Sequence, residues 1–213
     1  MPKIDRLRIE ICGGIAAGKT SLSKLMSEDG IIPAVNECFN SNPFLESFYE
    51  DPAFVSFETE ITFALQHYHD IKIATIKNNP IICDYSVFLD LAYADVTLKE
   101  SEFKAFISVH DEIISQIGYP GVLIYLRCDP VILLNRIRVR QRQFEQGITV
   151  EYLSQVINAL EKRIFSLKNV MIVEIDSDKV DFVEKDRIYL CDKLHKYLDS
   201  FNKGLIKEDI TYI

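Results

Sequence analysis

Residues Gly13 to Thr20 read GGIAAGKT, a complete phosphate-binding loop of the form G-x-x-x-x-G-K-[ST]. Such a loop works only between a core strand and the first turn of a helix, so it constrains the fold more than any other stretch. The flanks supply both partners. Leu7-Arg8-Ile9-Glu10-Ile11-Cys12 alternates in apolar character and predicts a strand, and Ser21-Leu22-Ser23-Lys24-Leu25-Met26 predicts the opening of a helix. The glycines allow the backbone N–H groups of Gly13, Gly14, Ile15, Ala16, Ala17, Gly18, Lys19, Thr20 and Ser21 to converge on phosphate oxygens. Lys19 adds a point charge toward the outer phosphates, and Thr20 offers a hydroxyl to Mg²⁺. The expected ligand is a nucleoside triphosphate.

Short apolar runs then alternate with long amphipathic stretches. Strands are predicted at Leu7–Cys12, Ile31–Val35, Ile81–Asp84, Val122–Arg127 and Val170–Ile175. Helices are predicted at Lys19–Ser27, Pro43–Tyr49, Ala53–Lys77, Ser101–Ile117, Pro130–Val139, Val150–Leu167 and Lys185–Phe201, with a shorter one after Ser86. This alternation implies an α/β fold: a five-stranded parallel sheet with helices on both faces. A chain of 213 residues suits one such domain, 1–213, with 203–213 expected as a loosely held tail.

Ligands of open parallel sheets sit at the carboxyl ends of the strands. Strand two ends in Asn36-Glu37 and strand three in Asp84-Tyr85-Ser86. Phosphoryl transfer to a hydroxyl needs a proton acceptor and an acidic ligand for Mg²⁺ beside Thr20. Glu37 and Asp84 are the natural pair.

The net charge of −8 argues against a duplex nucleic-acid binder. Within this acidic chain Arg136, Arg138, Arg140 and Arg142 form a basic island suited to an anionic small ligand. Helical spacing puts Arg136 and Arg140 on one face, with Arg142 in the following loop. An arginine-rich lid, about 139–149, would neutralise the transferring phosphoryl group and exclude water. Five scattered cysteines without a C-x-x-C pair fit a reducing cytoplasm, and no apolar run approaches the length of a membrane span.

Four segments together carry a resemblance: GGIAAGKTS, NPFLESFYEDP, DYSVFLDLAYA and RIRVRQRQFEQGITVEYL. They resemble the deoxynucleoside kinase family, most of all bacterial deoxyguanosine and deoxyadenosine kinases, from about Arg8 to about Leu198. The resemblance implies a P-loop kinase fold and transfer of the γ-phosphate of ATP, with Mg²⁺, to the 5′-hydroxyl of a deoxynucleoside. It also implies a homodimer built on the long helices such as Ala53–Lys77.

By this resemblance Glu37 is the general base, Asp84 lies beside Mg²⁺, and Arg136, Arg140 and Arg142 act on the triphosphate. Tyr49 and Glu145 correspond to the pair on the sugar 3′-hydroxyl, Glu60, His67 and Asp90 to residues around the base, and Tyr93 to an aromatic wall. Asp181-Phe182 resembles the loop around the donor adenine. Tyr85 stands where many members carry Arg, Gln141 where Gly is usual, Glu60 where Gln is usual and His67 where Arg is common.

A carboxylate only accepts hydrogen bonds. Guanine offers two adjacent donors and adenine a donor beside an acceptor, so Glu60 favours deoxyguanosine, with deoxyadenosine next. Two other readings use the same loop. A nucleoside monophosphate kinase needs basic residues for the acceptor phosphate, whereas Glu37, Glu60 and Asp90 would repel it. A catalytically silent binding subunit is opposed by the presence of Lys19, Thr20, Glu37 and Asp84. The guanine-binding motifs of GTPases are missing from the expected places.

Overall fold

In the computed structural model, which describes residues 7–28, 30, 32–77, 80–168, 170–182, 186–202 and 210–212, the sheet has the order β2-β3-β1-β4-β5-β6 and every pair is parallel. The strands are β1 Arg8–Gly13, β2 Ala34–Val35, β3 Ile81–Cys83, β4 Val122–Arg127, β5 Met171–Asp176 and β6 Ile210–Tyr212. The helices are α1 Lys19–Ser27, α2 Leu45–Glu50, α3 Pro52–Lys77, α4 Val87–Thr97, α5 Glu100–Ile117, α6 Pro130–Arg140, α7 Val150–Ile164 and α8 Arg187–Asn202.

The five predicted strands are all present. The sixth, β6, corrects the expectation of a loose tail, since Ile-Thr-Tyr is strand-favouring sequence and the outer edge of β5 offers unpaired backbone groups to it. Of the expected tail, 203–209 and 213 lie outside the described residues, as do Ile31 of the second predicted strand and Lys185 of the last predicted helix. The second strand is shorter than expected, and short 3-10 helices at Phe39–Ser41 and Gln143–Gly147 were not predicted.

Alternation along the strands divides the core into two layers. Ile9, Ile11, Ile124 and Val173 face α1, α6 and α8 on one side, where Leu190, Leu194 and Leu198 recur at helical spacing. Cys12, Cys83, Leu123 and Tyr125 face α3, α4 and α7 on the other. All five cysteines are free thiols. No helix among the described residues is long and apolar enough to cross a membrane.

One buried charge positions the site. Glu10, in the central strand, pairs with Arg8 at 2.8 Å and accepts from the Ser86 hydroxyl at 2.8 Å and the Val87 N–H at 3.2 Å. Arg8 also donates to the carbonyls of Ile117 and Gly118. A buried pair holds only when its remaining valences are met, and here they pin the start of α4 and the end of α5 to β1. Ser86 caps α4 through the Phe88 N–H. The Asp84-Tyr85 segment is thereby fixed at the end of β3.

Candidate active site

The carboxyl ends of β1, β2 and β3 open into a cavity of about 710 Å³. Its wall begins at Ile15 and takes in Ala16, Ala17, Gly18, Lys19, Thr20 and Ser21. Gly13 and Gly14 stand behind it, their carbonyls accepting from Lys19 Nζ at 3.0 Å each. Gly13 has φ +145, and a Cβ there would sit 2.7 Å from the Leu126 carbonyl, so glycine is required. Burial pushes the Lys19 ammonium below its ordinary pKa, while Glu37 and Asp84 pull it back up.

Glu37 and Asp84 meet at the strand ends. The Glu37 N–H donates to Asp84 Oδ1 at 2.6 Å. The Glu37 side chain turns to His67, whose Nε2 lies 3.3 Å from Oε1, near enough for an ion pair though off-line for a hydrogen bond. On its other side His67 Nδ1 is 2.9 Å from both oxygens of Asp90. The imidazole stacks on Tyr85 with centroids 3.9 Å apart and planes 12° from parallel. Burial pushes His67 down, but Asp90 and Glu37 together carry it up to about 10, so it is an imidazolium at neutral pH. Burial likewise pushes Glu37 up, and the His67 contact, with Lys19 and Arg142 farther off, holds its carboxyl below the ordinary value.

Deeper in, α3 and α4 run antiparallel and set matching faces together. Glu60, Phe63 and His67 share one face of α3, and Asp90, Tyr93 and Thr97 share one face of α4. His67 meets Asp90 at one end, and Thr97 lies 3.0 Å from Glu60 at the other. Burial pushes the Glu60 carboxyl up to about 8, and nearby Asp90 adds to this.

At the mouth Arg140 grips Glu145 at two points, Nε at 2.8 Å and Nη2 at 2.5 Å, and Arg142 approaches the same carboxylate at 3.5 Å. The island is therefore divided. Arg136 turns to the loop after β5, donating to the Ser177 hydroxyl at 3.0 Å and carbonyl at 2.7 Å, although it still lines the cavity. Gln141, at φ +54, ends α6 between Arg140 and Arg142.

Tyr49 lies against Phe144 with centroids 5.4 Å apart, and the Arg142 guanidinium stands 4.1 Å over Phe39. Phe39, Phe63, Phe144, Tyr152 and Thr97 were missed by sequence reasoning; the signal available was aromatic residues, Phe39 and Phe144, in polar loops. Asp181 and Phe182 are not part of the cavity wall. Phe182 is buried in the core, its ring under Gly18, where a Cβ would come within 2.8 Å of it.

The chain is similar to known proteins. The family model for deoxynucleoside kinases matches residues 9–198. A deoxyguanosine kinase of Bacillus subtilis is 30% identical over 183 residues, covering 82% of this chain and 88% of the relative. A deoxyadenosine/deoxycytidine kinase of the same organism is 24% identical over 186 residues, covering 84% and 86%. Among solved structures, deoxyadenosine kinase from M. mycoides with bound dCTP superposes with a TM-score of 0.74 at 21% identity, over 89% of this chain and 100% of that one, a likeness of fold. The chain belongs to the deoxynucleoside kinase family, and by that membership it is an ATP-dependent phosphotransferase.

Proposed function

We propose that the chain phosphorylates the 5′-hydroxyl of a purine deoxynucleoside, with deoxyguanosine favoured and deoxyadenosine next. The observation that carries this reading is one continuous cavity, with Lys19 and Thr20 at one end, Glu37 and Asp84 between, and the Glu60/His67/Asp90 walls at the other. In this reading the nucleoside lies between α3 and α4 with its base toward Glu60, His67 and Asp90 and against Tyr93 and Tyr85. Tyr49 and Glu145 hold the 3′-hydroxyl. Glu37, kept ionised by its neighbours, accepts the 5′-hydroxyl proton. Lys19 and the lid arginines Arg140 and Arg142 offset charge on the transferring group, and Arg136 braces the phosphate loop through Ser177.

Thr20 and Asp84 fit a magnesium ion, because both line the cavity and Mg²⁺ takes one or two protein oxygens with the rest from phosphate and water. Among the described residues no cluster of three His, Cys, Asp or Glu forms a dedicated metal cage, in keeping with that mode. When bound, the ion would neutralise phosphate charge. With Phe182 in the core, the donor adenine is left to the wall near Arg136. The reading includes a cytoplasmic homodimer, which would cover the exposed Phe54, Leu65, Ile73 and Ile76 of α3.

The test is monophosphate formation from Mg-ATP with deoxyguanosine, deoxyadenosine, deoxycytidine and thymidine. Product from the purines supports the reading. No product from any of the four, alongside ATP binding, defeats it.

A further inference from the structure

The contact between His67 and Glu37 assigns His67 a role apart from reading the base: we infer that it is a positioning residue for Glu37. The inference rests on Glu37 being the proton acceptor, as proposed above. The imidazole is 3% exposed, and its Nε2 has no hydrogen-bond partner although it faces the cavity beside the Glu37 carboxylate. Three contacts immobilise the ring. Asp90 holds Nδ1, Tyr85 stacks on one face, and Phe63 lies 5.8 Å away at 29°. A ring so held presents its Nε2 in a fixed direction.

Glu37 itself is poorly anchored. It stands in a loop after a two-residue strand, its side chain is 35% exposed, and its backbone N–H has only Asp84. A general base must meet the hydroxyl within hydrogen-bond reach, and nothing on its own element gives Glu37 that precision. Of the cations around it, Lys19 is drawn to the loop carbonyls of Gly13 and Gly14 and Arg142 toward Glu145. Tyr85, whose ring covers His67, carries no charge. His67 is left as the cation that fixes the rotamer of Glu37, and Asp90 acts through it.

The test is steady-state kinetics of His67→Gln and His67→Arg with Mg-ATP and the best purine deoxynucleoside, each variant checked for a cooperative melting transition well above the assay temperature. His67→Gln is expected to lower kcat by about 100-fold with KM for the nucleoside within about threefold, since misplacing a reacting group costs that much in rate. His67→Arg restores a cation and is expected to recover most of kcat. If His67 reads the base instead, KM rises and the order of nucleosides changes while kcat holds, and the inference falls. Should His67→Gln fail to fold, Asp90→Ala removes the acceptor at Nδ1 and unclamps the ring, and the same kcat loss is expected; an unchanged kcat overturns the inference. Inactivity of the unsubstituted protein toward all four nucleosides is a different result, defeating the kinase reading itself.

Discussion

Thr97 holds its hydroxyl oxygen 3.0 Å from Oε1 of Glu60 and 2.9 Å from the carbonyl oxygen of Tyr93. A hydroxyl has one proton for these two acceptors. A Glu60 that keeps its own proton satisfies all three groups: the carboxyl donates to Thr97, and Thr97 donates to Tyr93. Burial beside Asp90 points the same way, raising Glu60 from 4.5 to about 8.

The full match of the Glu60 carboxylate to guanine therefore belongs to the alkaline side. Below about 8 Glu60 is a neutral acid whose remaining carbonyl oxygen favours guanine only weakly; above it, the carboxylate matches guanine's two donors in full. The ratio of kcat/KM for deoxyguanosine over deoxyadenosine is expected to rise by about tenfold across that transition, because a charged acceptor strengthens the bond. Taking the ratio cancels ionisations shared by both substrates, including those of His67 and Glu37. In Glu60→Gln the ratio is expected to be flat with pH; a slope that survives the substitution would place its origin elsewhere.

Ser177 is fully buried, donates to the Ala17 carbonyl at 2.6 Å and accepts from Arg136. It ties the phosphate loop to α6 through the end of β5. Ser177→Ala is expected to leave the Ala17 carbonyl and one Arg136 donor unmet, lowering stability by about 1–3 kcal/mol. The loosened loop is expected to raise KM for ATP more than KM for the nucleoside. Thermal unfolding and paired substrate titrations check both.

Gln141 ends α6 in the left-handed region, where an L side chain costs about 1–2 kcal/mol and glycine does not. Gln141→Gly relieves that strain but frees the unfolded chain, so a net gain of about 0.5–1 kcal/mol is expected, read as a raised melting temperature. A loss would show that the Gln141 side chain contributes more than its backbone strain costs.

The phosphate loop, the five strands β1 to β5 and the place of Glu37 and Asp84 at strand ends were legible because each depends on local pattern: a motif, a period, a strand end. Glu60 and His67 came from the family resemblance, and α3 sets them on one face. The role of partners was not legible, since Thr97 on α4 meets Glu60 on α3 only after 37 residues of chain have folded back. Arg136 and Arg140 share a helix face by spacing, yet one turns to Ser177 and the other to Glu145, a choice set by loops that α6 itself does not encode. Phe182 reads as a loop aromatic, and the space under Gly18 draws it into the core.

His67 also writes itself into the pH dependence of stability. Its folded pKa is raised from 6.5 to about 10 by Asp90 and Glu37, which outweigh burial. A group raised on folding binds its proton more tightly in the native state, so its stabilising contribution is full below 6.5 and is lost as pH climbs through about 10. Glu60, raised to about 8, has the same sign, whereas Lys19, lowered by burial, opposes both. The total curve mixes these, but the difference between the unsubstituted protein and His67→Gln isolates one of them. The melting temperature of the unsubstituted protein is expected to exceed that of His67→Gln by most at about pH 6.5, and the gap is expected to close as pH rises toward 10. A gap independent of pH would mean that the ring stabilises the fold by packing on Tyr85 and Phe63 rather than by its charge between Glu37 and Asp90.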